Sequence, residues 1–161
     1  MEVTAHDTAE QDNPGIRFPP PFVYLIGLLI GVGLRYATTG PRFPEQLRHW
    51  IGAPCILLGL ALSAAAMSRF RLQKTSVLPD HPATRLIVDG IFSRTRNPLY
   101  LAMLCFYIGG SFWFSLLWSL ILAPAVVLVI QTQIIAREEA YLGRKFGQEY
   151  LMYKSRVRRW I

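Results

Sequence analysis

Forty consecutive residues, 97–136, carry no Asp, Glu, Lys or Arg: NPLYLAMLCFYIGGSFWFSLLWSLILAPAVVLVIQTQIIA. Of all 161 residues only 17% are charged and 52% are apolar, whereas a soluble domain carries about 25% charged residues. A helix of about 20 residues crosses the hydrocarbon core of a bilayer. The run is therefore long enough for two spans, and we expect Gly109-Gly110-Ser111 to break it into a hairpin.

Two shorter runs without charge precede it, seventeen residues at 18–34 and nineteen at 50–68. The first extends past Arg35, whose long side chain reaches the interface by snorkelling. We predict an all-α, polytopic integral membrane protein with four transmembrane helices, near residues 21–38, 50–68, 98–110 and 113–136. A very apolar soluble bundle is the alternative, but no soluble domain of this length needs a forty-residue run without charge.

The Lys and Arg residues predict the orientation, because short cytoplasmic loops carry an excess of them. Six lie in residues 69–96, seven lie after residue 136, and the expected 109–112 turn has none. We therefore expect both termini in the cytoplasm, although the first loop also holds Arg42 and Arg48. The short, compact form favours a bacterial inner membrane.

The first sixteen residues carry four acidic residues and no Lys or Arg, unlike a signal peptide, which begins with basic residues. We expect residues 1–20 to form a disordered cytoplasmic tail and residues 21–161 to form a single membrane domain. Cys55 and Cys105 lie in predicted spans and are expected to be free thiols that pack as small apolar side chains. The three histidines are scattered, so we predict no metal site.

Glycines in the first span, Gly27, Gly31 and Gly33, allow two interpretations. They mark either close packing against another helix or an opening for a lipid tail. We favour close packing, and the structure tests this choice.

The segment before the third span is rich in turn residues. Asp89-Gly90 is typical of a tight turn. Asn97-Pro98 then begins the helix, because Asn is a good N-cap and Pro suits the first helical position. This helix start leaves backbone N–H groups facing the cytoplasm, where they bind an anion such as a carboxylate. A plain helix start without a ligand is the alternative.

Two adjacent carboxylates, Glu138 and Glu139, stand at the end of the fourth span. They lie about 100° apart on a helix, so one is expected to face a cytoplasmic pocket while the other pairs with Arg or water. An ordinary solvated helix end is the alternative. Spacings of four, four and three residues then place on one helix face Leu142, Phe146, Tyr150 and Tyr153. We expect this helix to lie along the membrane, with its basic side chains at the anionic leaflet.

Three stretches carry a family resemblance. The first reads Arg96-Asn97-Pro98-Leu99-Tyr100-Leu101-Ala102 and follows Leu86-Ile87-Val88-Asp89-Gly90. The others read Glu138-Glu139-Ala140-Tyr141-Leu142 and Phe146-Gly147-Gln148-Glu149-Tyr150 with Tyr153. In order and spacing they resemble the isoprenylcysteine carboxyl methyltransferase and phospholipid methyltransferase superfamily. Its members carry Arg-His/Asn-Pro-x-Tyr-x-Gly, Glu-Glu-x-x-Leu and Phe-Gly-x-x-Tyr-x-x-Tyr. The resemblance covers residues 70–161.

The resemblance implies a cofactor, S-adenosylmethionine, bound in a cytoplasm-facing pocket within residues 70–161. Carried over position by position, the cofactor-binding residues are Thr84, Arg85, Leu86, Ile87, Phe92, Asn97, Pro98, Leu99, Tyr100 and Glu138. Glu138 is the carboxylate that meets the cofactor. Three positions depart from the family pattern: Asn97 replaces the commoner His, Ala102 replaces Gly, and Ile134 stands where the isoprenylcysteine enzymes have a substrate-facing Arg. The last departure argues against a prenylcysteine carboxylate as the substrate.

The predicted methyl acceptor is a lipophilic molecule that arrives from the membrane. A carboxylate acceptor needs no general base, whereas an amine or a hydroxyl gains from one; Glu139 is the nearest candidate. Arg96 and Arg137 are the predicted holders of an anionic acceptor, and with Glu139 they complete the predicted catalytic residues. We expect membrane lipids as partners, expect no nucleic acid, and leave the oligomeric state open.

Two other functions compete with methyl transfer. Membrane sterol reductases, which use NADPH, share a similar Arg-His-Pro-x-Tyr stretch and an aromatic C-terminal pattern. The Glu138-Glu139 pair favours a methyltransferase over them. The non-enzyme alternative is a small membrane protein that binds lipid and keeps a degenerate cofactor fold.

Overall fold

The computed structural model describes residues 14–16, 18–38, 42–75 and 84–161. Most of the predicted disordered tail, residues 1–13 and 17, lies outside these ranges, as do His6 and His81. Within them the chain forms helices joined by turns and no strand, which confirms the all-α prediction.

Four long helices form the fold: α1 (Pro20–Ala37), α2 (Glu45–Gln73), α3 (Pro98–Trp113) and α4 (Leu117–Arg156). Two of them contain a wider π-helical turn, at Arg48–Gly52 in α2 and at Ile130–Ile135 in α4. A short 3₁₀ turn, Gly90–Ser93, precedes α3. The helices follow one another in the order of the predicted spans.

Three of the helices, α1, α2 and α4, are long and apolar enough to cross a membrane, in agreement with an integral membrane protein. The third predicted span, residues 98–110, corresponds to α3, which is apolar but has only 16 residues. The 40 residues of α4 are more than the roughly 20 that cross a hydrocarbon core. The helix is kinked at Gly147, whose φ is 51°.

The predicted break at Gly109-Gly110-Ser111 is wrong, because α3 continues through these residues to Trp113. Gly109 instead lets α2 approach: a Cβ there would lie 2.7 Å from Cγ1 of Ile56 and 2.9 Å from the carbonyl oxygen of Gly52. The turn comes at residues 114–116, where Ser115 has a positive φ of 54°. Gly109 therefore allows close packing of α2 on α3 and does not end the helix.

Arg35 joins α1 to this turn. Its guanidinium donates hydrogen bonds to the carbonyl oxygens of Phe114 and Ser115. Those carbonyls follow the last turn of α3, where backbone acceptors lack helical partners. The side chain predicted to snorkel from the first span therefore binds the α3–α4 turn.

The first-span glycines allow α1 to pack closely on its neighbours. A Cβ at Gly27 would lie 2.7 Å from Cγ2 of Val126, and one at Gly31 would lie 2.8 Å from the backbone nitrogen of Ser119. Close packing is confirmed for these two positions. A Cβ at Gly33 would meet nothing within 4 Å, so that glycine plays no part in the contact.

The contrast between these glycines gives a stability prediction. Gly31→Ala should destabilise the protein by about 1–3 kcal/mol, because the added methyl group overpacks a close helix contact. The matched control, Gly33→Ala, adds the same group to an open position of the same helix and should leave stability unchanged. Thermal unfolding of both variants in one detergent checks this; equal midpoints would contradict the packing.

Candidate functional site

A cavity of about 230 Å³ lies where α1, the Gly90–Ser93 turn, α3 and α4 meet. Seven of the predicted site residues line it: Phe92, Arg96, Asn97, Pro98, Leu99, Tyr100 and Glu138. Five further lining residues were not predicted: Pro19, Pro20, Pro21, Phe70 and Met103. The start of α3 and one carboxylate of α4 are thus brought to one pocket.

Glu138 faces the α3 side of this cavity. The hydroxyl of Tyr100 donates a hydrogen bond of 2.7 Å to its Oε2. The backbone of Tyr100 is itself held by α1, since the hydroxyl of Tyr24 donates to its carbonyl oxygen at 3.1 Å. Burial raises the pKa of Glu138, and the nearby charge of Glu139 adds to this, while the bond from Tyr100 opposes it.

Glu139 points the other way, into a cluster of cations. Its carboxylate lies 3.1 Å from Nη1 of Arg96, 2.8 Å from Nη2 of Arg159 and 3.5 Å from Nζ of Lys154. Although burial opposes it, the net effect of these cations is to lower the pKa of Glu139. The two glutamates therefore have different surroundings, as their angular separation on the helix predicted.

The first turn of α3 differs in one detail from the expected capped start. The helix begins at Pro98, directly after Asn97, but the Asn97 side chain makes no cap. Its Nδ2 donates instead to the carbonyl oxygen of Arg159 at 2.9 Å. The backbone N–H groups of Leu99 and Tyr100 belong to the first helical turn and have no partner within the helix. Both residues line the cavity, which therefore lies at the positive end of the helix dipole.

Four predicted cofactor residues lie apart from the cavity lining. Thr84 and Arg85 are exposed, and the backbone nitrogen of Thr84 donates to Oγ1 of Thr75 at 3.3 Å. Leu86 is half-buried, and Ile87 is buried in a small core with Phe92 and Ala66. A cofactor role for this strip stays a prediction.

The predicted catalytic residues also separate. Arg96 lines the cavity, and its Nε is buried without a hydrogen-bond partner among the described residues. Glu139 lies behind Arg96 in the cation cluster. Arg137 is exposed and donates to the carbonyl oxygen of Gly15 at 3.2 Å. Only one of the three therefore reaches the cavity.

An apolar groove of about 560 Å³ runs between α1 and α4. Its wall is built mainly from aliphatic and aromatic side chains, with Gln133 and Arg137 as the polar ones. Residues 18–22 lie between the groove and the cavity, because Phe18 and Phe22 line the first while Pro19, Pro20 and Pro21 line the second. Both compartments are mainly apolar, and the cavity differs from the groove in holding the Glu138 carboxylate beside the start of α3.

The family model described as phospholipid methyltransferase matches residues 47–149, which include the start of α3, Tyr100 and both glutamates. The chain belongs to this family.

Curated relatives agree with this assignment. Protein-S-isoprenylcysteine O-methyltransferase B of Arabidopsis thaliana is 29% identical over 143 residues, 83% of this chain and 71% of the relative. The Schizosaccharomyces pombe protein-S-isoprenylcysteine O-methyltransferase is 35% identical over 133 residues, 72% of this chain but 53% of the relative. An uncharacterized Haemophilus influenzae protein is 43% identical over 65 residues, 39% of this chain and all of that protein. No solved structure matches significantly. With the apolar helices, these relatives support a methyltransferase integral to a membrane.

The cation cluster predicts a strong stability effect. Glu139→Gln should destabilise the protein by about 3–5 kcal/mol, because it leaves the buried Arg96 guanidinium without its anion. Glu149→Gln, an exposed position in the same helix, is the matched control and should have little effect. Thermal unfolding in detergent measures both, and similar midpoints would contradict the cluster.

The same carboxylate predicts a pH dependence of stability. The folded pKa of Glu139 lies below its ordinary value of 4.5. Its contribution is therefore fully present above that ordinary value, and it is lost as pH falls through the lower folded pKa. The difference in stability between the wild type and Glu139→Gln should shrink over that acidic range.

Proposed function

We propose that this protein is an integral membrane methyltransferase that uses S-adenosylmethionine and acts on a lipophilic acceptor. The observation that carries the proposal is the half-buried Glu138 carboxylate, which accepts a hydrogen bond from Tyr100 and lines a cavity at the start of α3. Membership of the phospholipid methyltransferase family supports the reaction class.

The cavity residues match the chemical groups of the proposed cofactor. A carboxylate binds an amino group or ribose hydroxyls with strong, charge-assisted hydrogen bonds. We therefore assign the binding of the cofactor's amino group or ribose to Glu138. The first-turn N–H groups of α3, at Leu99 and Tyr100, suit the cofactor carboxylate. The rings of Phe92 and Tyr100 offer an apolar surface for the adenine or the methionine chain.

The bound cofactor supplies an activated methyl group on a sulfonium cation. The chain then has to hold the acceptor in line and exclude water. Arg96 suits an anionic acceptor group, because its guanidinium lines the cavity with an unpartnered Nε. Glu139, the predicted base, is held by three cations and is a weak proton acceptor. This arrangement favours an acceptor that is already an anion, such as a carboxylate, over an amine or a hydroxyl.

The apolar groove between α1 and α4 is the proposed place for the tail of the acceptor. Its lining is almost entirely apolar, and Arg137 stands among its few polar side chains. An amphiphile with an anionic head complements that pattern. Residues 18–22 contribute side chains to both compartments, and we assign to this segment the passage of the acceptor head from the groove to the cavity.

The proposed topology has four spans, with α3 and α4 forming a hairpin through the uncharged turn at residues 114–116. The basic segments at residues 69–96 and after residue 136 then lie together in the cytoplasm, as the excess of Lys and Arg in cytoplasmic loops favours. The proposed membrane is the bacterial inner membrane. This orientation exposes the cavity to the compartment that supplies a polar cofactor.

Calorimetry on the purified protein tests the cofactor. We expect micromolar binding of S-adenosylmethionine by the wild type, with affinity reduced at least about tenfold in Glu138→Gln, since one charge-assisted bond is worth about 1.5–3 kcal/mol. Glu149→Gln controls for loss of an acidic residue from α4. Binding of NADPH in place of S-adenosylmethionine would contradict the proposal and favour a reductase, and no binding of either would favour a non-catalytic protein.

The pKa of Glu138 predicts how this affinity depends on pH. Burial raises that pKa above 4.5. As the pH decreases, Glu138 should become protonated and the affinity for S-adenosylmethionine should fall, with a midpoint above pH 4.5. Tyr100→Phe removes a hydrogen bond that lowers the pKa and should move the midpoint to still higher pH. A midpoint that moves downward would contradict the assigned partner.

Filling the groove tests the acceptor site separately. Ala125→Trp should reduce transfer of labelled methyl from S-adenosylmethionine to a total bacterial lipid extract, without changing cofactor affinity, because Ala125 lines the groove and not the cavity. Ile121→Trp, on an exposed position of α4 outside the groove, is the control. Equal transfer by the two variants would exclude the groove as the acceptor site.

A further inference from the structure

The chain turns back after α4 and joins the start of α3 through backbone carbonyls. The backbone N–H of Arg96 donates to the carbonyl oxygen of Arg158 at 3.0 Å. The carbonyl oxygen of Arg159 accepts from Oγ1 of Thr95 at 3.2 Å and from Nδ2 of Asn97 at 2.9 Å. Three consecutive residues next to the cavity are therefore held by residues about sixty positions away in the sequence.

The Arg159 side chain makes a second connection to the same place. Its Nε and Nη2 donate to Oε1 and Oε2 of Glu139 at 2.9 and 2.8 Å, the paired geometry that fixes both groups in orientation. Oε1 of Glu139 in turn lies 3.1 Å from Nη1 of Arg96. Arg159 thus orients the carboxylate that orients the Arg96 guanidinium.

The far end of this segment is anchored to α4. The indole Nε1 of Trp160 donates to Oε1 of Gln131 at 3.3 Å, within the π-helical turn Ile130–Ile135. The Trp160 ring also packs against the main apolar core. Residues 157–161 are therefore tied at one end to the body of α4 and at the other to the start of α3.

Arg96 requires such support more than an ordinary surface cation. Its side chain is only 10% exposed, and its Nε is buried with no hydrogen-bond partner in the described part of the chain. Its Nη1 is shared between Glu139 and the hydroxyl of Tyr150. The Arg96 guanidinium is therefore bonded through Nη1 and not through Nε. It keeps its orientation only if the groups bonded to Nη1 are themselves held in place.

We propose that residues 157–161 are a positioning clamp for the site, and that Arg159 is its positioning residue. Acting through Glu139 and through its own carbonyl oxygen, Arg159 sets the orientation of Arg96 and Asn97 at the cavity. The effect on ligand binding rests on the proposed function, whereas the effect on the backbone at residues 95–97 does not. Arg159 itself is absent from the cavity lining.

The test combines cofactor affinity with hydrogen exchange. Arg159→Gln should weaken S-adenosylmethionine binding about tenfold or more, because a small displacement of positioning groups has large effects. It should also accelerate amide exchange in the peptide that contains Arg96 and Asn97. Arg159→Lys, which keeps a charge but not the paired geometry, should fall between this variant and the wild type. Arg156→Gln, an exposed neighbour in α4, removes the same charge and should behave like the wild type.

A double-mutant cycle separates positioning from plain structural support. If Arg159 acts through Glu139, adding Arg159→Gln to Glu139→Gln should change the affinity by much less than Arg159→Gln does alone. Additive effects, or unchanged exchange and affinity in Arg159→Gln, would overturn the clamp. Failure of the wild type to bind S-adenosylmethionine would overturn the proposed function, and the exchange result would still decide on the clamp. If Arg159→Gln does not fold, the affinity and the amide exchange are measured on Arg159→Lys instead.

Discussion

The carboxylate of Glu139 is surrounded by cations from two distant parts of the chain, and the site depends on this ionic contact. Arg96 comes from the turn before α3, whereas Lys154 and Arg159 come from the end of α4 and the segment after it. A buried guanidinium or carboxylate is costly alone, so the two are stable only together. These ion pairs join residues 154–159 to the start of α3. Glu139 therefore has a structural role, whereas the adjacent Glu138 lines the cavity.

Two pockets lie side by side in the bundle. The cavity holds a carboxylate, an arginine and a helix start among mainly apolar side chains, which matches the charged groups and the adenine of the proposed cofactor. The groove between α1 and α4 is apolar, as a lipid tail requires. The two lie on either side of residues 18–22, and the proposed function therefore assigns a water-soluble donor to the cavity and a membrane-borne acceptor to the groove. The family and its membrane relatives point to the same reaction class.

Much of the fold was predictable because charge is excluded from spans and helices have a fixed period. The uncharged runs located the long helices, and the adjacent glutamates were expected to have different roles from helix geometry alone. The hairpin turn was misplaced because Gly109 serves α2–α3 packing, and one sequence does not distinguish a packing glycine from a turn glycine. The cavity wall at Pro19, Pro20 and Phe70 and the contacts of Arg159 were missed. They arise from tertiary packing and from backbone carbonyls, which every residue has and which leave no sequence pattern.

The measurement that tests the central claim most directly is a structure of the full chain in lipid with S-adenosylhomocysteine, the demethylated form of the proposed cofactor. The account predicts this ligand in the cavity at the start of α3, with its amino group within hydrogen-bonding distance of Glu138 and Glu139 still paired with Arg96. Ligand density in the apolar groove, or a ligand amino group bound to Glu139 with its cations displaced, would contradict it.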